Sequence, residues 1–243
     1  MATRYAGMFL IVGVILTIVS SLLHPGIALI NPVDQTDFSA AVGAMGDAPT
    51  LSHLMTILNI LGMILTSFGV LALFPLATSQ GGLSGTFLRF GVFVSIVEWS
   101  SIVVGLGMRH YVIYLAQRAA QAPAGSELQA TLQQTATMVH TSMSAVLVVF
   151  LTLFPFASFF LGAGLISRFQ DLNASKIASY GLALFGLGGL LIFMIIMFAG
   201  VEDPNRLLLV NNILLFLGSI CLLTLGIGMY KGQPGLAEEG SAS

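Results

Sequence analysis

Apolar residues dominate six long stretches of this chain, and most of the charged residues lie in the segments between them. A helix needs about 20 apolar residues to cross the hydrocarbon of a bilayer, and each stretch comes close to that length or exceeds it. Unbroken runs of this kind indicate helices, because the strands of a membrane barrel alternate apolar and polar residues. The predicted spans are residues 6–24, 51–77, 88–114, 137–166, 177–199 and 207–230.

Composition agrees with a membrane setting. The chain has 243 residues, of which 56% are hydrophobic and 7% charged, whereas soluble domains carry about 25% charged residues. We therefore predict an all-α integral membrane protein, with one six-helix transmembrane domain over 1–231 and a flexible tail over 232–243. The lipid bilayer is its expected partner. A net charge of −2 points to no nucleic-acid partner.

Turn signals separate the spans. Pro25-Gly26 ends the first, Gln80-Gly81-Gly82 separates the second from the third, and Glu202-Asp203-Pro204-Asn205 leads into the sixth. The polar stretch 25–50 contains prolines and several glycines, so we expect irregular structure there.

The third and fourth spans are predicted to form a long antiparallel hairpin with its tip near residue 124. Ser126, with Gln129 three residues later, matches the capping-box pattern that begins a helix. His110 lies 14 residues before residue 124, and His140 lies 16 residues after it. At about 1.5 Å of rise per residue, the two histidines are expected at nearly the same level.

Basic residues near the span ends set the expected orientation. With the N-terminus inside, five lie on the inner side (Arg4, Arg89, Arg168, Lys176 and Lys231) and three on the outer side (Arg109, Arg118 and Arg206). This bias predicts that both termini are cytoplasmic.

All four histidines fall at the same predicted edge of the membrane. His24 closes the first span, His53 opens the second, His110 closes the third and His140 opens the fourth. The end of one span and the start of the next share a side of the bilayer, so we expect a bundle of the first four helices with a histidine layer at its outer face.

Imidazole is a ligand for zinc, copper and iron, including haem iron. The layer therefore predicts a site for haem b or for a transition metal (copper, iron or zinc). His110 and His140 are the expected first ligand pair, with His24 and His53 as a second pair or as alternates. The competing interpretation is that these are interfacial histidines that meet water and lipid headgroups.

Glu98 lies near the middle of the third span. A carboxylate there costs several kcal/mol unless it is protonated, paired or hydrated. We expect it to act as a proton relay or to contact a quinol; the alternative is a neutral side chain bonded to a neighbouring helix near Asn59. Arg109 could neutralise a carboxylate of the outer loops or an acidic group of a ligand. It could equally be an arginine that extends to the membrane surface.

The leading functional hypothesis is a membrane protein that uses its metal or haem in redox chemistry or electron transfer. One alternative is a non-catalytic accessory or scaffold subunit of a larger membrane complex. The glycine-rich fifth span would then contact other subunits, because small residues let helices approach closely. A further alternative is a small-solute transporter with Glu98 in its pathway. The sequence contains no nucleotide-binding loop, nucleophile elbow or zinc-protease motif.

The first third of the chain resembles a loose group of uncharacterised bacterial multi-pass proteins. The similarity runs from Arg4-Tyr5-Ala6-Gly7 through Leu22-Leu23-His24-Pro25, and continues with a polar loop and His53 at a span start. The resemblance implies a bacterial inner-membrane location and no particular activity.

Overall fold

A computed structural model describes residues 2–198 and 204–237 of the chain. Within these residues all regular structure is helical. The helices are α1 (Ala2–Leu22), α2 (Phe38–Asp47), α3 (Pro49–Leu71), α4 (Phe74–Gln80), α5 (Gly82–Gln121), α6 (Glu127–Ile166), α7 (Ala174–Phe198) and α8 (Pro204–Tyr230).

Six helical segments in the described part of the chain are long and apolar enough to cross a membrane. They are α1, α3 together with α4, α5, α6, α7 and α8, and each overlaps one predicted span. The chain is therefore a multi-pass helical membrane protein. The predicted turn at Glu202-Asp203 lies outside the described residues.

The segment 25–50 contains a helix that the sequence analysis did not predict. Helix α2 begins after Asp37, whose carboxylate accepts a hydrogen bond from the Ala40 amide at 2.9 Å. Ala41, Val42 and Met45 are buried on one side of it. The expectation of irregular structure was therefore wrong for these ten residues, because an N-cap and an apolar face outweigh the flanking prolines.

The predicted hairpin is present, and its arms are longer than the predicted spans. Helices α5 and α6 have 40 residues each, or about 60 Å at the usual rise per residue. The Ser126 hydroxyl accepts from the Gln129 amide at 3.1 Å, and the Gln129 side chain accepts from the Gly125 amide at 2.8 Å. The capping interaction therefore exists, with its return bond one residue earlier than in the standard box.

Contacts divide the chain into two compact units, which we describe separately. The first, here called the glycine unit, comprises Met1–Ile15, Ile64–Trp99 and Phe150–Ser243, and the second, the histidine unit, comprises Leu16–Met63 and Ser100–Val149.

In the glycine unit, helices pack backbone to backbone. A Cβ atom added to Gly162 in α6 would overlap main-chain atoms of Ser179 and Ala183 in α7. One added to Gly186 in α7 would overlap the main chain of Phe159 in α6. The glycines of α7 thus contact neighbouring helices of the same chain.

The start of the expected flexible tail is packed in this unit. Leu236 is fully buried, and Arg168 donates a hydrogen bond to the Gly235 carbonyl at 3.0 Å. The Ser175 hydroxyl donates to the Gln233 side-chain oxygen at 2.6 Å. Residues 232–237 are therefore held by specific contacts, and residues 238–243 lie outside the described part of the chain.

Candidate functional site

All four histidines belong to the histidine unit, each on a different transmembrane helix or directly after it. His24 follows α1, His53 lies in the second turn of α3, and His110 and His140 lie within α5 and α6.

The register between α5 and α6 places Arg109 opposite His140. A Cβ atom on Gly105 would lie 3.3 Å from Val146 and 3.7 Å from Met143. Closer to the hairpin tip, Val112 and Ile113 share one apolar cluster with Ala136. Antiparallel helices that meet at both of these levels bring residue 109 level with residue 140 between them.

His53 and His110 are in direct contact. Their Nδ1 atoms are 2.8 Å apart, and the rings are stacked with centroids 5.1 Å apart and planes 22° from parallel. Because an imidazole nitrogen either donates or accepts, one ring must carry a proton on Nδ1 and the other a lone pair. This pair differs from the expected pair, which combined His110 with His140.

His24 is held in one tautomer by its own backbone. Its Nδ1 lies 2.9 Å from the Pro25 carbonyl oxygen, which can only accept, so Nδ1 carries the hydrogen and Nε2 carries a lone pair. Nε2 lies 3.4 Å from the Thr56 hydroxyl, but that hydroxyl donates to the Ser52 carbonyl at 2.7 Å. The Nε2 lone pair is therefore left without a strong donor.

Burial keeps His24 neutral. Only 2% of its surface is exposed. Burial lowers the pKa of His24 to about 4, with a further lowering from the Arg109 charge, and the hydrogen bond to Pro25 offsets this only in part. His140 adds a smaller effect of the same sign, so Arg109 and His140 both lie within electrostatic range of His24.

His140 has an unsatisfied ring nitrogen. The side chain is 6% exposed, and its Nδ1 is buried with no hydrogen-bond partner. Phe38, the first residue of α2, packs edge-on against the ring at a centroid distance of 5.7 Å. Helix α2, which sequence reasoning missed, therefore helps to bury this ring, and the detectable signals were the Asp37 cap and the apolar spacing after it.

Arg109 is half-buried and interacts electrostatically with His24, His110 and His140. Among residues 2–198 and 204–237 it has no hydrogen bond and no ion pair with a carboxylate. The site thus combines imidazole rings with one positive charge that has no counter-charge among the described residues.

The arrangement does not supply a complete metal-ligand set. Over the described ranges, no group of three or more histidine, cysteine, aspartate or glutamate side chains could hold a metal ion. The histidines form one contacting pair, His53 with His110, while His24 and His140 are related by electrostatic interaction.

Glu98 belongs to the glycine unit, where it is 2% exposed in α5. The burial expected from its central position in the span is therefore present. Asn59, which the sequence analysis considered as its partner, belongs to the histidine unit and donates to the Ser21 hydroxyl at 2.8 Å.

Comparison with known proteins gives no match, whether to protein families, to curated proteins or to solved structures.

Proposed function

We propose that this membrane protein binds a transition-metal ion through His53 and His110 and uses it in redox chemistry. The observation that supports the proposal is the 2.8 Å approach of the two Nδ1 atoms. Copper, iron and zinc all accept imidazole ligands, and of these copper and iron can change oxidation state.

The distance between the two nitrogens favours a metal ion over haem. Metal–imidazole bonds of about 2.0–2.1 Å separate two ligands of one tetrahedral ion by about 3.3 Å and two ligands on opposite sides of a haem iron by about 4 Å. A small outward movement of the rings from 2.8 Å therefore admits an ion. A haem would need a wider separation and a flat apolar slot between the rings.

No third histidine, cysteine or acidic ligand joins the pair within the described residues. Two imidazole ligands leave the other coordination positions to water or a substrate, which is one protein ligand fewer than in the usual catalytic zinc site. The Arg109 charge beside His110 opposes a bound cation, so an anion close to the ion would strengthen its binding.

The test is metal binding by the purified full-length chain, titrated separately with copper and zinc. We expect one ion per chain, and a loss of affinity of about 100-fold or more in both His53→Asn and His110→Asn. His140→Asn is the matched control, because it removes an imidazole outside the contacting pair. Unchanged metal affinity in the first two variants would refute the assignment. A Soret band in the purified protein would indicate that the ligand is haem and not a single metal ion.

A small-solute transporter is the second candidate, supported by the deep burial of Glu98 in a membrane helix. In that case Glu98→Gln abolishes proton-coupled uptake in vesicles and leaves metal binding intact. The accessory-subunit alternative would need a face other than the α7 glycines Gly181, Gly186 and Gly189, since these already contact α6 and α8.

A further inference from the structure

The positive charge beside the histidines has no counter-charge in the described part of the chain. Arg109 carries a guanidinium group with five N–H donors in a planar fork, which matches the geometry of an oxyanion. Leaving this group half-buried and unpaired is unfavourable, and a bound anion removes that cost.

A second group independently lacks a partner. Nδ1 of His140 is buried without a hydrogen bond, and the side chain is 6% exposed. The register of α5 against α6 places this residue opposite Arg109. An N–H on this nitrogen would donate to the same oxyanion that the guanidinium binds.

A third group selects the protonation state of the anion. Nε2 of His24 carries a lone pair, because Nδ1 donates to the Pro25 carbonyl at 2.9 Å. A lone pair repels a bare oxyanion oxygen, but it accepts a hydrogen bond from an oxygen that still bears a proton. Hydrogenphosphate carries such a proton near neutral pH, whereas sulfate and lipid phosphodiesters do not, and phosphate monoesters, with a second pKa of about 6, have mostly lost it.

We propose that Arg109, His140 and His24 form a binding site for a protonated oxyanion of the hydrogenphosphate type. Arg109 and His140 donate to its charged oxygens, and His24 accepts from its protonated oxygen. The site does not depend on a metal at His53 and His110. If a metal binds there, its charge and that of the anion attract, so each ligand strengthens the binding of the other by the same factor.

The experiment is equilibrium dialysis of radiolabelled inorganic phosphate against the full-length chain in a phosphate-free maltoside detergent at pH 7. We expect saturable binding of one phosphate per chain, weakened about tenfold or more by Arg109→Gln and by His140→Asn. Arg118→Gln is the control, because Arg118 is exposed on the same helix and its side chain donates a hydrogen bond to Tyr114 and lies over the ring of that residue. Its phosphate affinity should equal that of the unmodified chain.

Competition identifies the ligand chemistry. Sulfate should compete at least about tenfold more weakly than phosphate, and phosphatidylglycerol added to the maltoside micelles should not compete. Competition by the lipid would reassign the site to a headgroup and overturn the proposal, as would equal competition by sulfate. If Arg109→Gln does not fold, Arg109→Lys keeps the charge and loses the fork, and should still weaken binding. Full phosphate affinity in both Arg109→Lys and His140→Asn would also overturn it.

The two proposals fail separately. His53→Asn removes the metal and leaves phosphate binding in metal-free buffer unchanged. Arg109→Gln weakens phosphate binding and leaves metal binding by His53 and His110 in place.

Discussion

The two units of this protein contain small and polar residues in very different roles. In the glycine unit, Gly162 and Gly186 let helix backbones touch, so that an added methyl group would overlap main-chain atoms. In the histidine unit, Gly43 and Gly107 have no atoms within 4 Å of an added Cβ. This unit also buries two histidine rings, His24 and His140, that each have a nitrogen without a strong hydrogen bond. The buried unbonded side-chain atoms of the glycine unit belong instead to Thr66, Gln80 and Asn211, which do not titrate.

The difference indicates what each unit is built for. Close contact between helix backbones gains van der Waals attraction and needs no polar side chains, so it stabilises helix association in lipid. Buried nitrogens without partners are unfavourable for stability. A proton or a ligand can supply the missing partner of a histidine nitrogen, so we expect stability to depend on helix contact in the glycine unit and on protons and ligands in the histidine unit.

The largest effect is expected from filling the glycine contacts. Gly186→Ala places a methyl group on the main chain of Phe159, and the helices must separate. We expect a loss of about 3 kcal/mol in the free energy of unfolding, measured in mixed detergent micelles. Gly107→Ala is the matched control, since open space surrounds that position, and it should gain up to about 1 kcal/mol from helix propensity. Equal effects of the two substitutions would remove the distinction between the units.

The next effect is a pH dependence that belongs to the histidine unit. The unfolded chain protonates His24 near its ordinary pKa of about 6.5, whereas burial lowers its pKa in the folded chain to about 4. Between these values the unfolded state binds more protons, so stability falls as the pH falls. The loss from this residue is complete below pH 4 and amounts to about 3 kcal/mol.

Chemical unfolding at a series of pH values measures this slope. His24→Asn should reduce the slope of the curve between pH 6.5 and 4, and Gly186→Ala should shift the whole curve without changing its slope. A slope that persists in full in His24→Asn would mean that this ring is not the titrating group.

Periodicity predicted the membrane helices, because a span must be continuously apolar and about 20 residues long. It also predicted the hairpin and the cap at Ser126, which depend on local residue types. The helix after Asp37 was missed although its cap and apolar face are visible in the sequence, because the flanking prolines and glycines were given more weight. All four histidines fall in one compact unit, and their place at the edge of the membrane stays a prediction, since His110 and His140 lie well inside helices of 40 residues.

The pairing of the histidines was not readable from the sequence. Two rings at the same level can meet only if each helix is also rotated about its axis so that the two side chains point toward each other. Which rings meet depends on the packing between helices. His53 on α3 contacts His110 on α5, and His140 on α6 is not part of this pair. The incomplete bonding of His140 likewise depends on α2 lying against it.

A smaller effect is expected from the imidazole contact itself. The hydrogen bond between His53 and His110 should appear as a coupling of about 1 kcal/mol in a double-mutant cycle with His53→Asn and His110→Asn in metal-free buffer. A coupling close to zero would mean that the 2.8 Å contact between the two rings does not stabilise the fold.

The smallest effect is expected at the hairpin tip. Ser126→Ala removes the hydroxyl that accepts from the Gln129 amide at 3.1 Å and should cost about 0.5–1 kcal/mol, measured by unfolding in mixed micelles. Thr135→Ala is the control, because that exposed hydroxyl only donates to the Thr131 carbonyl one turn earlier in α6. Amide hydrogen exchange should quicken near Gln129 and remain unchanged near His140, since fraying of a capped end extends over about one turn. If exchange also quickens at His140, the hairpin end and the site unfold together, and the histidine unit is a single cooperative element rather than a rigid site below a mobile tip.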